Sequence, residues 1–229
     1  MSAIIIDHLT KRYKDVTAVD DLSLRVGQGE LLSLLGVNGA GKTTTIKMLC
    51  GLTQPTSGDA LLMGKSICRE ASAVKSLIAV SPQETAVAPA LTARENLALI
   101  CGAHGLPKEE QAARIATVTT QLGLTSILHR KAGKLSGGWQ RRLSIAMALI
   151  SQPDILFLDE PTLGLDVLAR SELWDVIRAL KGRVTIILTT HYMVSASAAA
   201  LMASGVSQSS SLPAFMMAMR SESASASSM

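Results

Sequence analysis

The chain has 229 residues, 48% of them hydrophobic and only 3% aromatic, with a formal net charge of +4. Such a length and apolar content suit one or two domains built around an aliphatic core. The charge is too mild and too dispersed for a nucleic-acid surface, so no nucleic-acid partner is expected. The densest basic cluster, Arg141-Arg142 with Lys131 and Lys134 nearby, reads as a solvated face, with a surface near anionic lipid as the second reading. Cys50, Cys68 and Cys101 are far apart and form no C-x-x-C pair. Neither a zinc site nor a disulfide framework is therefore indicated, and reduced thiols are expected. No leader pattern opens the sequence, and no apolar run approaches the roughly 18 residues that span a bilayer. The expectation is a soluble chain whose membrane role would need a partner.

In chain order, residues 4–9 and 22–26 read as short strands, and 30–36 as an apolar strand ending in glycine. A helix near 42–50 is closed by Gly51, and a turn at 53–59 leads to a strand near 59–63. Another strand falls near 77–81. From about 86 to 151 the pattern turns helical. Thr92 and Glu95 make a capping box for a helix through about 102, and Pro107 with Glu109 and Glu110 opens a helix running toward Gly123. A third helix covers about 137–151, with a stripe at Leu143, Met147 and Ile150. Strand character returns at 154–158 and 184–189, flanking a helix that carries Leu173, Val176, Ile177 and Leu180 on one face. Strands alternating with helices indicate a parallel sheet covered on both faces. The last 37 residues hold 12 Ser, 9 Ala and 6 of the 10 Met, show no strand periodicity, and mark a composition boundary near Met193.

Three motifs carry chemistry. GVNGAGKT at 36–43 has the spacing G-x-x-x-x-G-K-[ST]. A loop of Gly36, Asn38, Gly39, Ala40 and Gly41 can turn backbone N–H groups toward phosphate, and the helix that follows adds its positive end. Lys42 should reach the β- and γ-phosphates, Thr43 should ligate Mg²⁺ through its hydroxyl, and Thr44 completes the cradle. ATP and Mg²⁺ are thus the expected ligands. At 155–160, ILFLDE is an apolar strand ending in two acids at the edge where ligands gather in α/β sheets. Asp159 should hold the metal and Glu160 should act as general base on water. In LSGGWQ at 135–140, Ser136, Gly137 and Gly138 precede a helix, a second place where N–H groups and a hydroxyl can meet a phosphate. A plain serine N-cap is the simpler account of that element.

Phosphate loop, LSGG and acidic strand end, in that order, resemble the ATPase domain of ABC transporters over about residues 1–192. The resemblance implies an α/β fold: a P-loop NTPase core with a mostly parallel sheet, N-terminal antiparallel strands and an inserted helical subdomain. The core would be about 1–85 and 152–192, the helical part about 86–151, and 193–229 a low-complexity tail. By the same resemblance, Gln83 in VSPQE looks like the Q-loop residue that contacts Mg²⁺ and the attacking water. His191 at the end of VTIILTTH looks like the switch histidine, Tyr13 like the aromatic stacked on adenine, and Asp166 in LGLD like an acid at a dimer interface. The plainer alternatives are a surface Gln, a structural His, a packed Tyr and a helix N-cap.

Trp139 stands where the family usually has Gln, and Gly164 where Ala is common. After THYM the family's acidic helix and closing strands give way to VSASAAALMASG and a Ser-rich tail, which reads as a shifted frame or truncation near residue 193. Residues 194–203 keep helix propensity through their alanines. The resemblance further implies two such domains packed head to tail around two ATP molecules, with Ser136 and Gly138 of one facing Lys42 of the other. It also implies a membrane-spanning permease docked between Gln83 and the LSGG helix, at the cytoplasmic face of a bacterial or archaeal membrane. Several segments look like ATPase subunits of ABC-2 type exporters. Other readings stay open: a soluble ABC ATPase acting on ribosomes or DNA, or a truncated or frameshifted chain that binds nucleotide without turnover. A GTPase lacks its N-K-x-D motif here.

Overall fold

The computed structural model describes residues 1–190 and the backbone of 216–220. The chain opens with two long antiparallel strands, β1 (Ser2–Tyr13) and β2 (Val16–Gly27), joined through Lys14 at φ 47°. Their pairing shifts register between Ile6 and Leu9, where His8 takes φ 50°. Such an irregularity bends a strand pair and re-aims its side chains, and it extends both strands well past the short runs expected from alternation. Next come β3 (Leu31–Gly36), α1 (Lys42–Leu49), β4 (Ser57–Leu62), β5 (Lys65–Ser66), α2 (Ala71–Leu77) and β6 (Ile78–Ser81). Three helices follow, α3 (Ala93–Ala103), α4 (Lys108–Gln121) and α5 (Gly137–Leu149), then β7 (Ile155–Leu158), α6 (Val167–Ala179), β8 (Thr185–Thr190) and β9 (Met216–Arg220).

Two sheets result. One is antiparallel, in the order β2-β1-β4-β5. The other runs β6-β7-β8-β3-β9, with every pair parallel except β3 with β9. This is the expected α/β class, with a mostly parallel sheet, N-terminal antiparallel strands and helices between β6 and β7.

The parallel sheet is buried on both faces, and the period of two along its strands shows how. Ile155 and Phe157 of β7 enter one apolar cluster with Ile187, Ile46 and the antiparallel sheet; Leu156 and Leu158 enter the other with Ile186, Leu188 and the helices α3 to α6. Leu143, Met147 and Ile150 are all buried in the helical side of that core. The capping box is present: Glu95 N–H donates to Thr92 Oγ1 at 3.2 Å, and Thr92 N–H donates to Glu95 Oε2 at 2.7 Å.

Three of these elements were not foreseen: the two-residue strand β5, helix α2 and strand β9. Helix α2 buries only Val74, so it shows no apolar stripe in sequence. Strand β9 lies in the tail, where no strand periodicity is visible. MMAMR has no alternation to read; its strand form comes from pairing antiparallel with the edge of β3. The helix expected at 194–203, the frame change proposed near 193 and His191 fall outside the described residues.

Candidate nucleotide site

The C-terminal ends of β3, β6, β7 and β8 meet at one edge of the parallel sheet, and each delivers part of the site. From β3 the chain enters the glycine loop. Gly41 has φ 84°, and a Cβ there would lie 2.2 Å from the Ala18 carbonyl oxygen. Only glycine allows the loop to pass so close to β2 and still enter α1. Within α1, Lys42 is 5% exposed. Its ammonium donates to the carbonyls of Gly36 at 2.7 Å and Val37 at 3.1 Å, and lies 3.9 Å from Glu160 Oε1. Burial pulls the Lys42 pKa down from its usual value, while Glu160 and then Asp159 pull it back up.

β7 ends at the two acids. Asp159 and Glu160 are both buried. Asp159 accepts hydrogen bonds on Oδ1 from Thr189 Oγ1 at 2.6 Å and from Thr43 Oγ1 at 3.3 Å. Glu160 has φ 49°, the left-handed region that costs a non-glycine residue about 1–2 kcal/mol. Two contacts hold it there: Glu160 N–H donates to Thr189 Oγ1 at 2.9 Å, and Arg141 donates to the Glu160 carbonyl at 3.0 Å.

Tyr13, Ala18, Asn38, Gly39, Ala40, Gly41, Lys42, Thr43, Thr44, Gln83 and Glu160 line a single cleft of about 340 Å³. The structure thus brings together ten of the residues singled out by sequence. Tyr13 is exposed at its rim with Lys11 Nζ 5.0 Å from the ring centre. Gly36 contributes a carbonyl behind the loop, and Asp159 sits beneath it. A larger cavity of about 530 Å³ lies at the opposite end of the strands, around Arg114, Asp154 and Arg183, and holds none of the motif residues.

Ser136, Gly137 and Gly138 do not line the cleft. They open α5, where Ser136 stands at the N-cap position without a side-chain capping hydrogen bond, so the simple serine cap is not made. Asp166 does cap its helix, accepting from Ala169 N–H at 2.9 Å.

Thr43 and Asp159 place two hard oxygens side by side at the loop, the donor type that Mg²⁺ takes. Among the described residues no group of three or more His, Cys, Asp or Glu is poised for a metal.

Residues 19–163 match the profile of the family described as ABC transporter. The chain belongs to the ABC transporter family. It is 44% identical over 199 residues to the Nod factor export ATP-binding protein I of Burkholderia pseudomallei, an alignment that takes 86% of this chain and 66% of that protein. It is 41% identical over 187 residues to the probable multidrug ABC transporter ATP-binding protein YbhF of Escherichia coli, covering 81% of this chain and 32% of that one. The chain therefore spans just under two thirds, or less, of the lengths of these relatives. Among solved structures, cbiO1 from Clostridium perfringens, described as part of the ABC transporter complex cbiONQ, superposes with a TM-score of 0.76 at 27% identity, covering 83% of this chain and 79% of that one.

Two residues of this ABC domain escaped sequence reasoning. Thr189 is fully buried at the end of β8 and pins both acids; within TTH nothing distinguishes its hydroxyl. Arg141 corrects the reading of a solvated basic face. It is 4% exposed and donates to the carbonyls of Pro82 at 2.6 Å, Gln83 at 2.7 Å and Glu160. A signal existed: the run LSIAMAL at 143–149 is almost continuously apolar, as expected of a helix enclosed on most sides, and an arginine at the start of such a helix needs partners. The rest of the cluster keeps its outward role: Lys131 and Lys134 are exposed, and Arg142 pairs with Glu172 at 2.6 Å and lies 4.9 Å from the Trp139 ring.

Proposed function

We propose that this chain binds MgATP in the β3–α1 cleft, hydrolyses it, and powers an ABC-2 type membrane exporter through ATP-dependent pairing of two ATPase domains. The observation that carries the reading is the convergence of Lys42, Thr43, Gln83 and Glu160 on one cleft, with Asp159 directly behind Thr43.

In this reading the loop amides and Lys42 bind the β- and γ-phosphates, and Tyr13 packs on the adenine. Thr43, Asp159 and Gln83 would hold Mg²⁺, which when bound would neutralise charge on the phosphate oxygens. Glu160 accepts a proton from water as the water oxygen bonds to the γ-phosphorus. The bond from that phosphorus to the bridging oxygen breaks, and ADP leaves with the electron pair. Gln83 and His191 orient the γ-phosphate and the water. Burial around Glu160 limits competing solvent and strengthens each of these contacts.

Pairing of two domains is supported by the position of Ser136, Gly137 and Gly138, away from the chain's own cleft yet at a helix N-terminus with an unengaged capping position. Asp166, beside them at the start of α6, joins that interface. The exporter reading is supported by relatives named as export and multidrug ATP-binding proteins. Among the described residues no helix is long and apolar enough to cross a membrane, so a permease partner at the cytoplasmic membrane face completes the reading. The segment 86–151 serves as the helical subdomain on which it docks.

The test is ATP turnover by the purified full chain with Mg²⁺. Glu160→Gln should cut turnover by about 10²–10⁴ while keeping nucleotide, and should favour an ATP-held dimer in size-exclusion chromatography. Lys42→Ala should weaken ATP binding itself. Hydrolysis unchanged in Glu160→Gln refutes the assigned base; full ATP affinity in Lys42→Ala refutes the cradle.

A further inference from the structure

Arg141 occupies an unusual place between two parts of the site. Its guanidinium, almost wholly buried, donates to three backbone carbonyls from two separate segments: Pro82 and Gln83 after β6, and Glu160 after β7. A planar fork of donors can satisfy such a set in fixed geometry; an ammonium cannot. Arg141 also belongs to α5, the helix that begins at Ser136, Gly137 and Gly138. Three residues further along α5, Ser144 Oγ lies 3.0 Å from Ser81 Oγ at the end of β6, a second and separate tie between helix and sheet.

The two segments are the ones where geometry matters for hydrolysis. Glu160 sits in left-handed backbone conformation, and such strain persists only where surroundings over-determine it. With its N–H held by Thr189 and its C=O by Arg141, the peptide groups on both sides of the Glu160 Cα are fixed. Gln83 is exposed, and its carbonyl is held by Arg141. Neither contact touches the glycine loop.

We propose that Arg141 is a positioning residue that locks Gln83 and Glu160 to helix α5, so that the rate of hydrolysis, and not nucleotide affinity, depends on its fork. This inference rests on the ATPase reading above. A displacement of the LSGG end of α5 is then transmitted through Arg141 to the backbone of both residues, because a packed helix moves as a unit.

The experiment uses the full chain and the variants Arg141→Lys, Arg141→Ala and Ser144→Ala. MgATP turnover is measured alongside hydrogen exchange of the backbone amides, with thermal unfolding to confirm folding. In Arg141→Lys, kcat should fall about 10- to 100-fold, the scale of loss from small misplacement of reacting groups, with KM for MgATP within about twofold of the parent. Exchange should accelerate at 83–85 and at Glu160 and Thr162 but not at 37–43. In Arg141→Ala, added guanidinium at low millimolar concentration should restore part of kcat. Ser144→Ala should leave kcat within about twofold.

Full kcat in Arg141→Lys overturns the proposal, as does a rise in KM with kcat unchanged. An equal loss of kcat in Ser144→Ala, or failure of both Arg141 variants to fold, assigns Arg141 to general packing and also overturns it. A parent chain without ATP turnover refutes the hydrolytic reading instead, and the exchange pattern at 83–85, Glu160 and Thr162 then decides whether Arg141 positions these segments.

Discussion

Replacing Thr189 by valine isolates the hydrogen bonds that hold the two acids. Valine keeps the branched shape of threonine, so the fully buried site stays filled while the hydroxyl is lost. Two interactions go with it. Asp159 loses a 2.6 Å bond to a charged acceptor, worth about 1.5–3 kcal/mol, and the Glu160 N–H loses its 2.9 Å acceptor, leaving a buried donor orphaned at about 1–3 kcal/mol. Simple addition gives about 2.5–6 kcal/mol, and the lower half is expected because groups in one network do not add independently. Thr189→Ser keeps the hydroxyl and removes one methyl, so it should lose only about 1 kcal/mol. Urea unfolding of the three proteins measures the difference, read as a midpoint shift at constant m. Apparent affinity for Mg²⁺ in the turnover assay should also fall in the valine variant, because Asp159 is no longer held beside Thr43. Equal midpoints for the valine and serine variants would show that the hydroxyl does not hold the acids.

Gly41→Ala should abolish nucleotide binding, measured by equilibrium dialysis, since the new Cβ would meet Ala18 O at 2.2 Å in a backbone conformation of φ 84°; normal affinity would mean that the loop relaxes freely. For the thiols, Cys50 and Cys101 are buried and Cys68 is exposed. Burial pushes the Cys50 thiol up to about 12. A thiol reagent should therefore modify Cys68 rapidly in native protein and the other two only on unfolding, with mass spectrometry assigning the site; rapid native labelling of Cys50 would contradict the packing behind α1.

Much of this arrangement is legible without coordinates, for specific reasons. The buried strands β3, β7 and β8 announce themselves as apolar runs because both faces of a parallel sheet are covered. The helix start at Thr92 is written in a local four-residue pattern. The glycine loop is readable because the chemistry of phosphate binding demands small residues and a lysine at fixed spacing. What stayed hidden is non-local. Strand β9 depends on the free edge of β3, far away in sequence, and α2 buries only one side chain, Val74. Arg141 looked like half of a basic pair because sequence shows its neighbour Arg142 and not the carbonyls of Pro82 and Glu160, 59 and 19 residues away. Thr189 was hidden for the same reason: its value lies in which peptide ends beside it.

Among the described residues, four charged side chains are buried together around the site: Lys42, Arg141, Asp159 and Glu160. Two positive groups face two negative ones, and this balance is what makes their burial tolerable, since an isolated buried charge carries a penalty of several kcal/mol or more. Burial lowers the Arg141 pKa, with Asp159 and then Glu160 opposing it, the same pattern as at Lys42. Removing one member should therefore destabilise the fold beyond the loss of its contacts. Lys42→Ala leaves one uncompensated negative charge and should cost about 3–5 kcal/mol in urea unfolding without nucleotide. Adding Glu160→Gln to that variant restores formal neutrality, and should return half or more of the lost stability while turnover stays absent. Only a charge-balance origin produces that recovery, because the second substitution restores no contact that the first removed. A double variant no more stable than Lys42→Ala alone would mean that the penalty comes from the lost Lys42 hydrogen bonds to Gly36 and Val37, and that the four charges are held individually.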